Sequence, residues 1–536
     1  MKNLKYFIYS ILSLSVIYSC TDLEVEEFDS IVLESSASGE FTGVADPAAS
    51  LTAAYGELGG WGDQGGWYAL TQVTTDETLI PTRGTDWGDN GVFRSLHQHA
   101  WDPTHQWIVS TWNDTNRRIY SLDQLIHPAS NASADILAQA KFLRALQMTQ
   151  IVDMFGQVPR REVGSGPSDN PSVIDSPTAL NLILEDLDAA IAGLNPLATG
   201  KETTYAGQEG TNEVTKTAAQ FLKARVLLNK HVWIGESTAD TADMNAVIDL
   251  VDDIKSQGFD IHDDYFEIFE NSADSETIFS GPLCNCNRMW NGLHYKQVTA
   301  DEQGGGWNGF STMAELYDLF EGNEDNAYDP TDTDRDERRG FVPKTGDGNP
   351  LESDQSAIDN KARGIGLGFL QGQQYSDDGV ALKQRNGNPL IYTKELPGLT
   401  GNNEATGIRV IKYHPKSGAY FGGQVFFRYA DAHLMKAEAI LRGGTSSSET
   451  ALDLINELRG KRNASAMTTV TLDNILDERA RELYTEMVRR TDMIRFGVFT
   501  DDWSYKGGTS DATRNKFPIP SVALGSNPNL TQNPGY

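Results

Sequence analysis

The chain has 536 residues, of which 39% are hydrophobic and 22% charged, a composition typical of a folded globular protein rather than a disordered or membrane-spanning one. Its 75 acidic and 44 basic residues give a formal net charge of −31 at pH 7. Such a charge repels phosphate backbones, so we expect no nucleic-acid partner.

Residues 1–19 have the pattern of a secretory signal peptide. Lys2 and Lys5 precede the apolar run YFIYSILSLSVIYS, which is shorter and richer in serine than a transmembrane helix. Cys20 ends this run and resembles the lipidated cysteine of bacterial lipoproteins, whose acyl chains anchor the protein to a membrane. Acidic residues at 22–27 resemble the signals that send such lipoproteins to the outer face of the outer membrane. The alternative is an ordinary signal peptide that ends in cysteine.

The remainder of the chain is predicted to form one domain. A lipidated tether over residues 20–40 precedes it, and no linker rich in Pro or Ser divides residues 41–536. The portion 265–420 is rich in Gly, Asn, Asp and Gln, which predicts loops, turns and short strands laid over helices. Its two cysteines, Cys284 and Cys286, are too few for a disulfide framework or a structural zinc site.

Helical patterns dominate the first half and return after residue 428. In residues 134–156 apolar side chains recur every three or four positions and Gly156 ends the run, which predicts an amphipathic helix. Ser176 and Pro177 give the cap and first turn of another helix that ends near Gly193. Further helices are predicted over 105–126, 215–233, 429–444, 448–463 and 472–497.

Five segments in order carry a resemblance to a known family. They are AKFLRALQMTQIVDMFGQVP, FRYADAHLMKAEAILRGG, INELRGKRNA, ERARELYTEMVRRTDMIRFG and the C-terminal KFPIPSVALGSNPNLTQNPGY. On these motifs the chain is identified as a member of the SusD/RagB family, surface lipoproteins that capture glycans or peptides for a partner transporter. The resemblance implies a mainly α fold with tetratricopeptide-like helix pairs and a loop-rich binding face. It also implies a SusC-type TonB-dependent transporter as partner, an outer-membrane location facing the cell exterior, and capture without enzymatic chemistry.

A charged stripe near the C-terminus invites an enzymatic interpretation. Glu478, Glu482, Glu486 and Arg489 have the spacing of one helix face. A carboxylate pair of this kind could serve glycoside hydrolysis. Carboxylates alternating with arginines more often form ion pairs between packed helices, and we predict that structural role.

Two segments resemble metal sites incompletely, and no cofactor is predicted. Asp332, Asp334 and Asp336 have the spacing of an EF-hand loop, but Glu337 stands where that loop needs glycine. We predict a solvated turn leading into a helix, with calcium as the alternative. The histidines of HQHAWDPTH, residues 97–105, lack a Cys or close carboxylate partner. They are predicted to be exposed or satisfied within the core.

Tryptophans in glycine-rich segments are the candidate ligand contacts. A sugar ring stacks its C–H face on an aromatic ring, while polar side chains bind its hydroxyl groups, and glycines let the backbone orient those rings. Family members that bind glycans place an Asn three residues after the first platform Trp, a spacing that Trp87 and Asn90 match. The predicted ligand-binding residues are Trp61, Trp67, Trp87, Asn90, Trp290, Tyr295 and Trp307. Each tryptophan alone could instead anchor a loop or face the transporter, whereas those at positions 101, 107 and 112 are assigned to the core.

The acidic surface and the scarcity of Lys and Arg near these tryptophans in sequence favour a neutral polysaccharide such as a β-glucan. One alternative is a surface glycoside hydrolase, for which Asp86, Asp89 and Asp301 are the candidate carboxylates. The other is a peptide-binding member of the same family.

Overall fold

The computed structural model describes residues 40–62, 64–166, 168–196, 213–269, 274–281, 292–297, 306–322, 326, 335–342, 365–376, 380–413 and 424–536. Residues Thr42–Tyr536 form one compact unit. In the parts of the chain just given, no helix is both long enough and apolar enough to cross a bilayer. Cys20, the predicted lipidation site, lies outside the described residues.

Helices make up most of the regular structure, as predicted. The N-terminal helices are α1 (Pro47–Gly56), α2 (Gly66–Tyr68), α3 (Val92–His97), α4 (Gln106–Ile126), α5 (Ala134–Phe155), α6 (Ser176–Gly193), α7 (Lys216–Trp233) and α8 (Thr241–Ser256). The later helices are α9 (Ala314–Asp318), α10 (Tyr429–Leu441), α11 (Ala451–Lys461), α12 (Leu472–Leu483), α13 (Arg489–Arg495) and α14 (Ser521–Ser526). From α4 to α8 each helix packs on the next, and α10 packs on α7, α8, α11 and α12.

The strands are short and pair antiparallel. They are β1 (Gln157–Arg160), β2 (Ser172–Asp175), β3 (Thr277–Ser280), β4 (Gly340–Phe341), β5 (Leu367–Leu370), β6 (Gly372–Gln373), β7 (Ile391–Tyr392), β8 (Arg409–Ile411) and β9 (Val425–Arg428). The pairs are β1–β2, β3–β9 and β6–β7, and β5 lies between β4 and β8. In β5–β8 the register places Phe369 opposite Val410. The predicted loops and short strands of 265–420 are therefore confirmed for the described part of that portion.

Local signals explain the ends of the long helices. In α5 the Ser133 side chain accepts the Ile136 N–H at the start, and Gly156 ends the helix with a left-handed φ of +72°. The predicted boundaries hold, but its second half is buried on every side rather than amphipathic because other helices surround it. In α6 the cap is Asp175, whose side chain accepts the Thr178 N–H, and not Ser176 as predicted.

The helix predicted over 472–497 is broken. Between α12 and α13 the chain turns, with Thr485 at φ +61° and Met487 at φ +63°. Two buried side chains hold this turn: Lys412 donates to the Tyr484 carbonyl at 2.9 Å, and Glu77 accepts the Thr485 N–H at 3.1 Å. These tertiary contacts override a local helical pattern.

The predicted ion pairs of this stripe are confirmed. Glu482 is fully buried and pairs with three arginines: Arg338 at 3.2 Å, Arg428 at 2.7 Å and Arg462 at 3.0 Å. Arg338 comes from the loop-rich portion, Arg428 from the end of β9 and Arg462 from the end of α11. Glu478 also binds Arg338, at 2.6 Å. This buried network therefore fastens the loop-rich portion to the helices.

The same network corrects the prediction for the acidic segment 329–340. Asp336 is fully buried, and its carboxylate accepts two hydrogen bonds from Arg338, at 2.8 and 2.7 Å. A solvated turn is therefore wrong for Asp336, although a single helical turn, Glu337–Arg339, does follow it. Asp332 and Asp334 lie outside the described residues.

The main apolar core lies among the helices. It contains Trp101 and Trp112, which are 2% and 4% exposed, as predicted for both. A second apolar cluster lies between the loop-rich portion and α12, and Phe369 and Tyr484 pack there with ring centroids 5.0 Å apart.

Substituting Glu482→Gln is expected to lower the free energy of unfolding by about 3–5 kcal/mol, because it leaves buried guanidinium groups without their charge partner. The matched control is Glu57→Gln, since Glu57 pairs with Arg117 and Arg118 at the surface, where the loss should be below about 1 kcal/mol. Urea unfolding of both variants measures the difference. Equal losses would contradict a central role for the Glu482 network.

Stability is expected to fall as the pH drops from about 4.5 towards 2. Burial alone would raise the pKa of Glu438, but the charge of Arg495 lowers it to about 2. Burial would likewise raise the pKa of Glu478, but the charge of Arg338 lowers that pKa to about 2. A carboxylate with a depressed folded-state pKa contributes stability above its unfolded pKa, and that contribution is lost on acidification. Melting temperatures between pH 7 and pH 3 test this, and an unchanged melting temperature at pH 3 would contradict it.

Candidate functional site

A surface cleft of about 280 Å³ brings together segments that lie far apart in sequence. It is lined by residues 83–87, Tyr295, 307–308, Arg385 and 402–404. Of the predicted ligand contacts, Trp87, Tyr295 and Trp307 therefore meet in one place.

Trp87 is fixed in the cleft by contacts on several sides. Its backbone is left-handed, with φ +58°, a conformation that side chains rarely adopt and that costs about 1–2 kcal/mol. The indole N–H donates to the Trp307 carbonyl at 3.0 Å, and the ring meets Phe310 edge-on with centroids 5.6 Å apart. Gly309 permits this packing, since a Cβ there would lie 2.2 Å from the Trp87 ring. The strained backbone is thus held by its surroundings.

Trp307 is the exposed member of the aromatic pair. Its surface is 47% accessible, whereas Trp87 is half-buried. The two ring centroids lie 6.3 Å apart and the ring planes are inclined by 49°. Trp307 is therefore the more accessible ring of the pair, with Trp87 beside it.

Charged side chains of opposite sign lie close together in the cleft. The Arg385 guanidinium lies 4.3 Å above the Tyr295 ring, 3.8 Å from a Glu404 oxygen and 4.0 Å from Asp86. The backbone N–H of Arg385 donates to the other Glu404 oxygen at 2.9 Å, and His294 Nε2 lies 3.2 Å from that same oxygen. Burial raises the pKa of Glu404, but the nearby Tyr295 hydroxyl and the Arg385 amide outweigh it and hold the pKa below its usual range.

The described lining of the cleft carries aromatic faces and amide groups, and its formal charges sum to zero. Arg83 and Arg385 are matched in number by Asp86 and Glu404, and residues 402–403 add two side-chain amides. Such a surface can stack on the apolar face of a ring and form hydrogen bonds to hydroxyl groups around its edge.

Trp61 and Trp67 lie elsewhere. Trp61 is 3% exposed, and its ring centroid lies 4.5 Å from that of half-buried Trp67 and 5.1 Å from that of Phe426. Trp61 therefore lacks the exposure that a ligand contact requires. Glycines in this stretch serve close packing instead: a Cβ on Gly65 would lie 2.5 Å from the Trp107 ring.

Asn90 does not belong to the described lining of the cleft. It is exposed in the short turn Asp89–Gly91 with φ +51°. Trp290 lies outside the described residues.

Sequence reasoning missed Arg83, Arg385 and the segment 402–404. Arg83 stands four residues before Trp87, so its proximity was the one local signal available. Arg385 and Glu404 reach the cleft only through the tertiary fold, and their loop composition alone does not single them out.

Each of the clustered histidines contacts a backbone carbonyl through its Nε2 atom. His99 Nε2 lies 2.9 Å from the Thr74 carbonyl, and His105 Nε2 lies 3.0 Å from the Val92 carbonyl. Burial lowers the pKa of His99 to about 3. Within the described ranges, no three His, Cys, Asp or Glu side chains lie close enough together to hold a metal ion.

A second cavity, of about 60 Å³, lies among α5, α7 and α13 and is lined in part by Trp67 and Trp233. Its volume allows a few water molecules but is much smaller than that of the cleft. The cleft is therefore the candidate ligand site.

Comparison with known proteins gives consistent matches. A SusD family model matches residues 275–536, and a model described as "Susd and RagB outer membrane lipoprotein" matches residues 87–218. The starch-binding protein SusD of Bacteroides thetaiotaomicron is 27% identical over 520 residues, which cover 88% of this chain and 86% of that protein.

Solved structures have the same fold. A laminarin-binding SusD-like protein matches with a TM-score of 0.64 and 20% identity, covering 92% of this chain and all of the other. Surface glycan-binding protein A from Bacteroides uniformis matches with a TM-score of 0.63 and 18% identity, covering 91% of this chain and 98% of that one.

Substituting Gly309→Ala is expected to displace the Trp87 ring and to destabilise the protein by about 1–3 kcal/mol through overpacking. Near-UV circular dichroism in the tryptophan region should change with it. The control is Gly60→Ala, where the added Cβ would meet nothing within 4 Å and the spectrum should remain that of the parent protein. An unaltered spectrum in Gly309→Ala would contradict the packing of Trp87.

Proposed function

Because this chain belongs to the SusD/RagB family of outer-membrane lipoproteins, we propose that it binds glycans at the cell surface through the cleft around Trp307. The observation that carries this proposal is the exposed Trp307 ring, braced by Trp87 and surrounded by amide and charged groups that can bind hydroxyl groups. An exposed tryptophan on a braced platform has little conformational entropy to lose when a sugar stacks on it.

The preferred ligand is a neutral polysaccharide such as a β-glucan. The balance of charges among Arg83, Arg385, Asp86 and Glu404 supports it, since nothing in this set selects an anionic sugar. The relatives' names agree: one binds starch and another binds laminarin, and both are uncharged glucans.

Capture without hydrolysis is the second part of the proposal. A glycoside hydrolase needs a general acid whose pKa is raised, whereas the pKa of Glu404 is lowered and Arg385 contacts both cleft carboxylates. Asp89 is exposed but does not line the cleft, and Asp301 lies outside the described residues. Starch-binding SusD and the laminarin-binding neighbour are likewise named for binding.

A partner transporter that receives the bound glycan is the third part of the proposal. The family resemblance supports a SusC-type TonB-dependent transporter as the partner that receives it. Lipidated Cys20 would tether the protein to the outer membrane, with the cleft facing the cell exterior.

Affinity electrophoresis of the chain that begins after Cys20 tests the ligand class. Gels containing laminarin or starch should retard the protein, and gels containing alginate should not. Trp307→Ala is expected to raise the dissociation constant by about tenfold or more, since one stacked aromatic ring contributes about 1–3 kcal/mol. Val522→Ala removes a side chain that is 74% exposed outside the cleft and should migrate like the parent protein.

Retardation by alginate alone would contradict the proposed preference for neutral polysaccharides. Absence of retardation in every gel, with binding of a peptide library instead, would favour the peptide-binding alternative. Release of shorter sugars during prolonged incubation would identify a hydrolase.

A further inference from the structure

Two arginines meet beneath the cleft and share one hydroxyl group. Arg83 Nη2 donates to the Ser311 Oγ at 2.7 Å, and Arg409 Nη1 donates to the same oxygen at 2.9 Å. Arg83 is 5% exposed and lines the cleft, whereas Arg409 is fully buried and does not line it. Neither guanidinium pairs with a carboxylate in the described part of the chain, so backbone carbonyls are their main acceptors.

These acceptors lie in one short loop, residues 402–407. Arg83 Nη1 donates to the carbonyls of Asn403 and Thr406, at 2.7 and 2.8 Å. Arg409 donates to the carbonyls of Thr406 and Glu404, at 2.8 and 3.2 Å, and to that of Gly407 at 2.5 Å. With its carbonyls drawn inward, the loop presents the side chains of residues 402–404 to the cleft.

Arg409 also reaches the loop that carries Trp307. Its Nη2 donates to Asn308 Oδ1 at 3.0 Å, and its guanidinium stacks 4.4 Å above the Tyr392 ring. Arg83 belongs to the third loop, 82–91, which carries Trp87, and the Gly84 N–H in that loop donates to the Asn402 carbonyl at 3.2 Å. The two guanidinium groups therefore lie where these three loops of the cleft meet.

We infer that Arg409 is a positioning residue of the cleft: from outside the ligand surface, it sets the relative positions of the loops 82–91, 306–312 and 402–407. The inference rests on the proposed glycan-binding function only for its effect on affinity. The two terminal NH2 groups of a planar guanidinium can reach the loop carbonyls, the Asn308 amide oxygen and the shared Ser311 hydroxyl at once.

Lysine at this position would keep the positive charge and lose the fork of donors. Its ammonium is a compact point charge with three donors, so it can serve only part of this acceptor set. Arg409→Lys therefore separates the geometry of the donors from the charge.

The test compares Arg409→Lys with Arg490→Lys. Arg490 is equally buried, but it binds Asp153 in α5 and the Asn515 carbonyl near the C-terminus, outside the cleft. Hydrogen–deuterium exchange of all three loops should be faster in Arg409→Lys, and the dissociation constant for laminarin should rise by about tenfold. Arg490→Lys should lower the melting temperature while leaving both readouts unchanged.

Exchange that rises only around residue 409, or that rises equally in the two variants, would overturn the inference. So would an unchanged laminarin affinity in a folded Arg409→Lys variant, provided the parent protein binds laminarin. If the parent binds no glycan, the proposed function fails, while the exchange of the three loops still decides whether Arg409 positions them.

Discussion

The buried ion pairs of α12 are the interaction on which the rest of the structure depends. Glu482 forms ion pairs with Arg338, Arg428 and Arg462. Arg338 lies in the loop-rich portion, Arg428 ends the strand β9, and Arg462 directly follows the helix α11. The strands in the described loop-rich portion are two to four residues long and contribute little stability by themselves. The position of this portion on the helices therefore depends on charges that must remain paired, because a lone buried charge is strongly destabilising.

Buried arginines also organise the cleft, but they bind different hydrogen-bond acceptors there. Arg83 and Arg409 bind loop carbonyls and a shared hydroxyl rather than carboxylates. Planar donors with fixed directions orient the loops that carry Trp87 and Trp307. The aromatic platform is thereby preorganised, which lowers the entropy lost on binding a flexible chain of sugars.

Sequence patterns predicted the structural features that depend on residues close together in the chain. Residues 134–156 form a helix that stops at Gly156 because periodicity and a left-handed glycine act within a few residues. The break at Thr485 and the burial of Trp61 arise from tertiary contacts, with Glu77 in one case and with Phe426 in the other. In the cleft the structure brings Trp87 and Trp307 together, and their role as ligand contacts stays a prediction. Arg385 and Glu404 lie about 300 residues after Trp87 in the sequence, and no local signal encodes their meeting in the cleft.

A crystal structure of the protein with a laminarin oligosaccharide would show where the ligand binds. We expect a sugar ring stacked on Trp307, with hydroxyl groups within hydrogen-bond distance of residues 402–404 and Arg385. An oligosaccharide bound on another surface, with the cleft filled only by water, would contradict this expectation.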